Sequence, residues 1–228
     1  MKKVIVVFGY GPGISNAVAE RFGAEGFAVA LVSRNRERLA AAVAALAAKG
    51  IEAAAFPADA GVPAEIRHAL DEVRSRLGPI TAIEWTPYAT GAGDLTRASA
   101  EELRAIFELP VVGLTTAVQA ALPDLKQSPG AAVLVTNGGL GLFEAGADKA
   151  GVDWNAMGLS IANSAKHKLV RLLSLKLRAD GIFVGEVVVT GVVKGSAFDS
   201  GHGTIEAAQV GDAFWKLYAA RDRTSVTL

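Results

Sequence analysis

Short runs of consecutive apolar residues recur along the chain, and between them apolar residues return every three or four positions. A continuous apolar run is typical of a strand buried on both faces of a sheet, and the wider spacing is typical of an amphipathic helix. Strands are predicted over Val4–Phe8, Phe27–Val32, Ile51–Phe56, Ile80–Trp85, Ala131–Thr136, Ile182–Val189 and Ser225–Leu228. After a first helix that follows Gly13, further helices are predicted over Arg36–Lys49, Pro63–Leu77, Ser99–Phe107, Val111–Leu122, Trp154–Ala179 and Ile205–Tyr218.

Strands and helices alternate throughout this pattern, which predicts an α/β protein with right-handed crossovers. We expect a Rossmann-type, doubly wound, seven-stranded and mostly parallel sheet, with helices on both faces in three layers. No linker or break in composition divides the chain, so residues 1–228 are predicted to form a single dinucleotide-binding domain.

The first strand leads into a turn that contains Gly9, Gly11 and Gly13 and opens a helix. Glycines let the backbone approach a pyrophosphate closely, and the helix directs free N–H groups and its positive dipole end to the same place. A second strand follows at the spacing of a βαβ unit, which is the context that this motif requires. The alternative is a tight turn that binds nothing.

The second strand ends in Ser33, Arg34 and Asn35, where a carboxylate would accept hydrogen bonds from the ribose of NAD. Arg34 instead offers a planar cation suited to a 2′-phosphate. Arg36 and Arg38 lie close enough in sequence to assist. The sequence therefore predicts NADP(H) as cofactor, the alternative being that these arginines only begin a solvated helix.

Composition narrows the class of protein further. The chain is 51% hydrophobic with zero formal net charge, so neither nucleic acid nor a membrane surface is expected as a partner. It has no cysteine and three scattered histidines, and no metal site is predicted. No signal peptide or membrane-spanning run is predicted, and the predicted location is cytoplasmic.

The glycine turn Gly9–Ser15, Arg34, the pair Asp59-Ala60, the segment Gly78–Ile80 and the turn Thr190-Gly191 together resemble the short-chain dehydrogenase/reductase family over most of the chain. Ser15 stands where the last glycine of the family's motif is usual, and Thr190 stands for proline. The resemblance implies the following cofactor-binding residues: Gly9, Gly11, Gly13, Ile14, Ser33, Arg34, Asp59, Ala60, Thr86, Asn163, Thr190 and Gly191.

The catalytic half departs from the family's pattern. Trp85–Tyr88 replaces Asn-Asn-Ala-Gly, and Pro110 stands where an asparagine is usual. An ungapped count places Gly138 at the position of the catalytic serine and puts Leu159 and Asn163 at those of the tyrosine and lysine. A shift by three residues would give Ala162 and Lys166 instead, which still supplies no tyrosine.

Four side chains are the candidates that replace the missing chemistry: Tyr88, Asn137, Asp153 and Asn163. Tyr88 is a possible proton donor or else an aromatic lid on Trp85. Asn137 would bind a substrate oxygen or only cap its loop. Asp153 would act as an acid in a closed pocket or as a first-turn carboxylate of the long helix. His167 is interpreted as a helix-surface or interface residue, the alternative being a switch or an acid. Tyr10 is expected to cover the cofactor rather than to react.

Three functions remain open. The first is an NADP(H)-dependent oxidoreductase that uses a rearranged proton donor on a small carbonyl, alcohol or enone. The second is an NADP-binding scaffold or regulatory subunit without redox activity. The third is a non-redox enzyme, such as a cyclase, dehydratase or isomerase, that uses the same pocket. Fold alone does not choose among them.

Self-association is also expected. By resemblance, helices over 111–122 and 157–177 pair across a two-fold axis to give a homodimer or homotetramer. On the second of these helices, four residues are predicted to form a basic stripe that either limits or directs the contact: Lys166, His167, Lys168 and Arg171.

Overall fold

The computed structural model describes residues 2–196 and 198–228 and contains one seven-stranded sheet. Its strands are β1 (Lys3–Phe8), β2 (Phe27–Ser33), β3 (Ala53–Pro57), β4 (Ala82–Trp85), β5 (Ala132–Gly138), β6 (Phe183–Val189) and β7 (Ser225–Thr227). The helices are α1 (Ile14–Ala24), α2 (Arg36–Ala48), α3 (Pro63–Arg76), α4 (Ala100–Phe107), α5 (Leu114–Leu125), α6 (Ala145–Asp153), α7 (Met157–Leu177) and α8 (Ala207–Ala220).

The strand order is β3-β2-β1-β4-β5-β6-β7, and every neighbouring pair is parallel. The predicted fold class is therefore confirmed, including the number of strands. β1 pairs with β2 on one side and with β4 on the other, so the strand order reverses at β1. In open sheets of this kind, ligands bind beyond the carboxyl ends of the strands at such a reversal.

Two apolar cores cover the faces of the sheet. One core packs α3, α5 and α7 on the sheet through residues such as Leu70, Leu114 and Val170. The other packs α1, α2 and α8 on the opposite face through residues such as Phe22 and Phe214. This gives the three layers that the alternating pattern predicted.

The long helix predicted over Trp154–Ala179 is shorter than expected, and a separate helix, α6, precedes it. The break lies at Asn155, whose φ of +51° ends the helical path. Such a backbone angle is tolerated best by glycine and asparagine. The segment predicted as a glycine-rich loop is also more ordered than expected, since Gly139–Gly141 forms a 3₁₀ turn.

A π-helical turn, Glu108–Gly113, joins α4 to α5 at Pro110. Proline has no N–H to donate to the hydrogen bonds of an α-helix. The wider π-helical turn accommodates the missing hydrogen bond. Within the combined segment Ala100–Leu125, an 18-residue window has a mean hydropathy of 1.6, and among the described residues this is the one helix that meets the length and hydropathy of a membrane span. Leu114 and Ala121 in this segment are fully buried in the core against the sheet.

Other boundaries differ from the predictions by a few residues. β3 begins at Ala53 rather than Ile51, β4 begins at Ala82 rather than Ile80, and β5 continues to Gly138. The extension of β5 matters, because it brings Asn137 and Gly138 into the sheet at the end where ligands bind.

We expect Gly113→Ala to destabilise the fold by roughly 1–3 kcal/mol, the usual cost of overpacking. A Cβ on Gly113 would lie 2.4 Å from the Ala60 carbonyl oxygen and 3.0 Å from the Trp85 ring. Gly146→Ala is the matched control, because Gly146 lies in α6 and a Cβ there meets nothing within 4 Å. Denaturant unfolding should show a loss for the first variant only, and equal midpoints for both would contradict this packing.

Candidate active site

The turn after β1 is bent sharply toward β2. The N–H groups of Gly9 and Tyr10 both donate to the Val32 carbonyl at 3.0 Å. Gly9 has a φ of +74°, and a Cβ there would lie 2.9 Å from the Pro87 side chain. Gly9 is thus required both for its conformation and for the close approach of the segment that follows β4.

The N-terminus of α1 is open for an anion. Its N-cap is Gly13, and no side chain within the described residues caps the first turn, which starts at Ile14. A Cβ on Gly11 would meet nothing within 4 Å, so the space beside the turn is free. Ser15 Oγ accepts a hydrogen bond from the Gly11 N–H at 2.8 Å and so fixes the turn from inside. Free N–H groups and the helix dipole make this the place for a pyrophosphate.

The end of β2 carries groups that suit a phosphorylated ribose. Ser33 Oγ is buried and finds no hydrogen-bond partner among residues 2–196 and 198–228. The Arg34 side chain is 80% exposed and lies 3.7 Å from an Asp59 carboxylate oxygen, a weak surface pair. A cavity of about 150 Å³ opens here, lined by Arg34, Arg36, Pro57, Ala58, Asp59 and Glu65. An exposed guanidinium at the mouth of a small cavity fits a 2′-phosphate.

Asp59 and Ala60 form the turn after β3. Asp59 Oδ1 accepts from the Gly61 N–H at 2.8 Å, and the Asp59 N–H donates to Glu65 Oε2 at 2.8 Å. The Ala60 carbonyl approaches Gly113 on the neighbouring π-helical turn. The pair is therefore held at the same edge of the sheet as Arg34.

The end of β5 meets α7 at Asn163. A Cβ on Gly138 would lie 2.7 Å from Asn163 Nδ2, and Asn137 Nδ2 donates to the Asn163 carbonyl at 3.2 Å. Leu159 lies one turn earlier on α7 and is half-buried. This contact favours the ungapped register, in which Asn163 rather than Lys166 is placed against the end of β5.

Lys166 lies one turn further along α7 and is 2% exposed. Burial lowers the pKa of its ammonium to about 8, although the carboxylates of Glu186 and Glu84 act to raise it. The prediction of a basic surface stripe that includes Lys166 is therefore wrong, because this side chain points into the protein. An uncompensated buried cation is costly, so acidic partners are required nearby.

Sequence analysis missed Glu84, one of the two carboxylates whose charge acts on Lys166. It lies in β4 with no exposed surface, and its Oε1 accepts from Thr86 Oγ1 at 2.6 Å and from Thr136 Oγ1 at 2.9 Å. Its Oε2 has no hydrogen-bond partner within the described part of the chain. Burial raises the pKa of this carboxyl to about 7, against the opposing effects of the two hydroxyls and Lys166.

Glu186 on β6 is a second fully buried carboxyl. Its Oε2 accepts from Asn137 Nδ2 at 2.9 Å, and its Oε1 contacts His167 Nδ1. Burial raises the pKa of Glu186, and the contacts with Asn137, His167 and Ser225 oppose this. His167 is therefore not a free surface residue as expected, since its side chain is only 25% exposed and faces a buried carboxyl.

The two remaining candidates, Tyr88 and Asp153, lie in different environments. Tyr88 is 37% exposed and stacks on Phe198 at 5.0 Å between ring centroids. The idea of a lid on Trp85 is wrong, because the buried Trp85 stacks on Phe8 instead. Asp153 is half-exposed at the end of α6 and pairs with Lys149, so it neither lies in a closed pocket nor caps α7.

Two residues expected to face the cofactor are held by the protein itself. Tyr10 is 6% exposed, and its hydroxyl donates to Asn16 Oδ1 at 2.7 Å, so it packs into the core and does not cover a ligand. The Thr190 N–H and hydroxyl both donate to the Leu228 carbonyl at 2.7 Å. Thr190 also touches Gly139, and Gly191 packs on Ile205. Thr190 and Gly191 therefore fix the loop after β6.

The signal for the buried carboxyls was present in the sequence. Glu84 and Glu186 each interrupt an otherwise apolar strand, and a charged residue in a strand buried on both faces must be paired or neutral. Among the described residues, no group of three or more metal-ligating side chains is positioned to hold an ion.

The fold and the open N-terminus of α1 at the strand-order reversal define the class: a doubly wound α/β protein of the dinucleotide-binding type. Within that class, the short chain dehydrogenase family profile matches residues 3–198. The chain belongs to this family, as the glycine turn and the Asp59-Ala60 pair indicated.

Curated relatives are similar at a moderate level. The chain is 29% identical over 185 residues to meso-2,3-butanediol dehydrogenase of Serratia marcescens, and this match covers 81% of this chain and 69% of that protein. It is 31% identical over 115 residues to 2,3-dihydro-2,3-dihydroxybenzoate dehydrogenase of Bacillus subtilis, which covers 50% of this chain and 44% of that protein.

Solved structures share the fold at low identity. A short chain oxidoreductase of Pseudomonas aeruginosa, described as containing an atypical catalytic center and bound to NADPH, superposes with a TM-score of 0.85 at 20% identity over 99% of this chain and 94% of that chain. A short chain dehydrogenase of Burkholderia cenocepacia in complex with NADP gives a TM-score of 0.84 at 23% identity over 99% and 96%.

We expect Glu84→Gln to change how stability depends on pH. A folded pKa of about 7, against an ordinary 4.5, means that the folded state keeps a proton that the unfolded chain has released within this window. The contribution of Glu84 to the free energy of unfolding is therefore complete below pH 4.5 and declines up to pH 7. The contribution to the free energy of unfolding that is lost across this window is roughly 3 kcal/mol.

Denaturant unfolding at a series of pH values measures this change. The difference in stability between the wild-type chain and Glu84→Gln should fall as the pH rises through that window. Glu101→Gln, on the exposed surface of α4, is the control and should run parallel to wild type. Parallel curves for all three proteins would mean that Glu84 does not titrate in this way.

Proposed function

We propose that the protein is an NADP(H)-dependent oxidoreductase that transfers hydride to or from a small carbonyl, alcohol or enone and uses a proton donor other than the family's tyrosine. The observation that carries this proposal is the cofactor cradle. An uncapped helix N-terminus after Gly13, the unpartnered Ser33 hydroxyl and the exposed Arg34 all lie along one edge of the sheet.

The choice of NADP(H) rests on the end of β2. Arg34 offers an exposed cation to a 2′-phosphate, and the buried Ser33 hydroxyl beside it has no hydrogen-bond partner among the described residues. The Pseudomonas and Burkholderia proteins of the same fold are described as binding NADPH and NADP, which supports this choice. When bound, the nicotinamide would supply or accept the hydride. The protein's own residues must then orient the ring, exclude water and handle one proton.

The proposal of a non-standard active site depends on residues at the end of β5, on α7 and after β4. Gly138 has no hydroxyl to hold a substrate oxygen, and Leu159 has no proton to donate. Asn163 offers an amide for a ribose hydroxyl but no charge to lower a neighbour's pKa. Reduction of a carbonyl requires one proton at the substrate oxygen, and the half-exposed Tyr88 phenol is the proposed donor. The atypical catalytic center described for the Pseudomonas protein agrees with such a departure.

The organisation of the working protein is part of the proposal. We propose that residues 1–228 act as one dinucleotide-binding domain with a small-molecule substrate, in the cytoplasm, without nucleic acid or membrane as partner. Exposed apolar residues on α7, Leu172 at 54% and Leu175 at 74%, support self-association through helices 111–122 and 157–177 as a homodimer or homotetramer.

A second candidate function is an NADP-binding scaffold without redox activity. The contact between Gly138 and the Asn163 amide favours it, because the space of the expected serine hydroxyl is filled by a side chain that moves no proton. The scaffold would bind NADPH but consume none of it with any carbonyl or enone. A non-redox enzyme that reuses the pocket gives the same negative result and would be found by assaying product formation without cofactor turnover.

We expect Arg34→Ala to weaken NADPH binding about tenfold to a hundredfold, as for the loss of a charge-assisted hydrogen bond. NADH binding should change little, since NADH has no 2′-phosphate. Fluorescence titration of both cofactors measures this, and Arg67→Ala on the exposed face of α3 is the matched control. An equal loss for NADH and NADPH would refute recognition of the phosphate by Arg34.

We expect Tyr88→Phe to lower turnover of an active carbonyl or enone by at least about a hundredfold, the usual contribution of a general acid. NADPH affinity should be unchanged, because phenylalanine preserves the stack on Phe198. Phe198→Leu is the comparison, since it disturbs the stack and leaves the phenol. If Tyr88→Phe retained full turnover while Phe198→Leu lost it, Tyr88 would be only a packing residue.

A further inference from the structure

The proposed mechanism does not use one buried acid that lies near the carboxyl ends of the strands, at the edge of the sheet where the cofactor is proposed to bind. Glu84 is the penultimate residue of β4, the strand that pairs with β1 at the reversal of strand order. It has no exposed surface, and its Oε2 lacks a hydrogen-bond partner among the described residues. A carboxyl oxygen without a donor is best explained by a proton on the group itself, since an unsatisfied buried anion is costly.

Hydroxyl groups connect this acid to the edge. Thr86 follows β4 and is half-buried, and its hydroxyl donates to Glu84 Oε1 at 2.6 Å. Thr136 on β5 donates to the same oxygen at 2.9 Å, and the two hydroxyls are 3.4 Å apart. The Thr86 N–H donates to the Phe8 carbonyl next to the glycine turn. The acid therefore lies directly under the edge between β1, β4 and β5.

Topology places the two halves of a dinucleotide on opposite sides of the reversal. The half with the phosphorylated ribose belongs to the β2 and β3 side, where Arg34 and Asp59 lie. The nicotinamide half then belongs to the side of β4 and β5, above Glu84. This step rests on the proposed cofactor.

We propose that Glu84 makes the protein's relative affinity for oxidised and reduced dinucleotide depend on pH. The nicotinamide ring carries a positive charge in NADP⁺ and none in NADPH. An ionised Glu84 attracts the oxidised ring, whereas a protonated Glu84 does not distinguish the two forms. Binding of NADP⁺ therefore lowers the pKa of Glu84 and releases a fraction of a proton from Glu84 to solvent, and binding of NADPH does not.

The charged groups around Glu84 are consistent with titration near neutrality. Lys166 acts on it from α7, and beyond Lys166 lie Glu186 on β6 and its partner His167. Burial raises the pKa of Glu84 to about 7 in spite of Lys166 and the two hydroxyls. A small change of charge nearby is then enough to move the proton. Two unit charges about 10 Å apart at an effective dielectric constant of about 20 give roughly a tenfold effect on affinity.

The test is a calorimetric titration with NADP⁺ and with NADPH in buffers of different ionisation enthalpy, from about pH 6 to about pH 8. In the wild-type protein, affinity for NADP⁺ relative to NADPH should rise roughly tenfold over this range. More proton should be released with NADP⁺ than with NADPH. The 2′-phosphate also titrates near this range, but both cofactors carry it, so it cancels in the ratio.

Variants separate Glu84 from other groups. Glu84→Gln keeps an oxygen acceptor for the two threonines, and its ratio of affinities should be independent of pH. Thr136→Val, which removes one donor to the ionised carboxylate, should move the midpoint of the change to higher pH and serves if Glu84→Gln does not fold. Glu72→Gln, exposed on α3, should behave as wild type.

The outcomes are distinct. If both cofactors bind with a ratio that does not vary with pH, the role of Glu84 is wrong and the proposed function stands. If the pH dependence persists in Glu84→Gln, or its midpoint is unmoved in Thr136→Val, another group is responsible and the proposal fails. If neither cofactor binds, the proposed function fails and the role of Glu84 fails with it.

Discussion

The pairing of β1 with both β2 and β4 is the constraint on which the rest of the structure depends. β1 is buried from Val4 to Phe8, and the stack of Phe8 on Trp85 joins it to β4. Since both neighbours are parallel, three strands end at the same edge, and the chain must leave β1 by a turn that avoids them. Gly9 makes that turn with a positive φ, and α1 then starts with its N–H groups directed at the edge.

The same edge explains where buried charge is tolerated. Glu84, Glu186 and Lys166 all lie within the sheet or against it, in a protein whose cores are otherwise apolar. Replacing such a cluster with hydrophobic residues of similar volume is often neutral or stabilising in other proteins, so stability alone gives little reason to keep it. The hydroxyls of Thr86 and Thr136 and the amide of Asn137 satisfy individual oxygens of the carboxyls. This location favours a role in binding or proton transfer.

The sequence predicted most of the fold because period and glycine placement are local signals. Apolar runs such as Phe27–Val32 admit only a buried strand once turns bound them, and the glycine turn requires a helix after it. The helix α6 was not predictable in this way, because its sequence of small and polar residues buries only Gly151 and so carries no apolar period. The positive φ of Asn155 that separates α6 from α7 is likewise not visible in the pattern. The inward direction of Lys166 was also hidden, since only the packing of α7 against β6 decides which of its basic residues face the sheet.

The two sides of the edge differ in which polar atoms remain free. On the β2 side, the Ser33 hydroxyl and the first turn of α1 have donors to offer. On the β5 and β6 side, Asn137 and Thr190 are already engaged with Glu186, Asn163 and Leu228. Proton transfer at this edge of the sheet must therefore use groups that are not already fully hydrogen-bonded to other protein groups. Tyr88 above the edge and Glu84 beneath it meet this condition, one as a half-exposed phenol and the other through an oxygen that has no partner in the described chain.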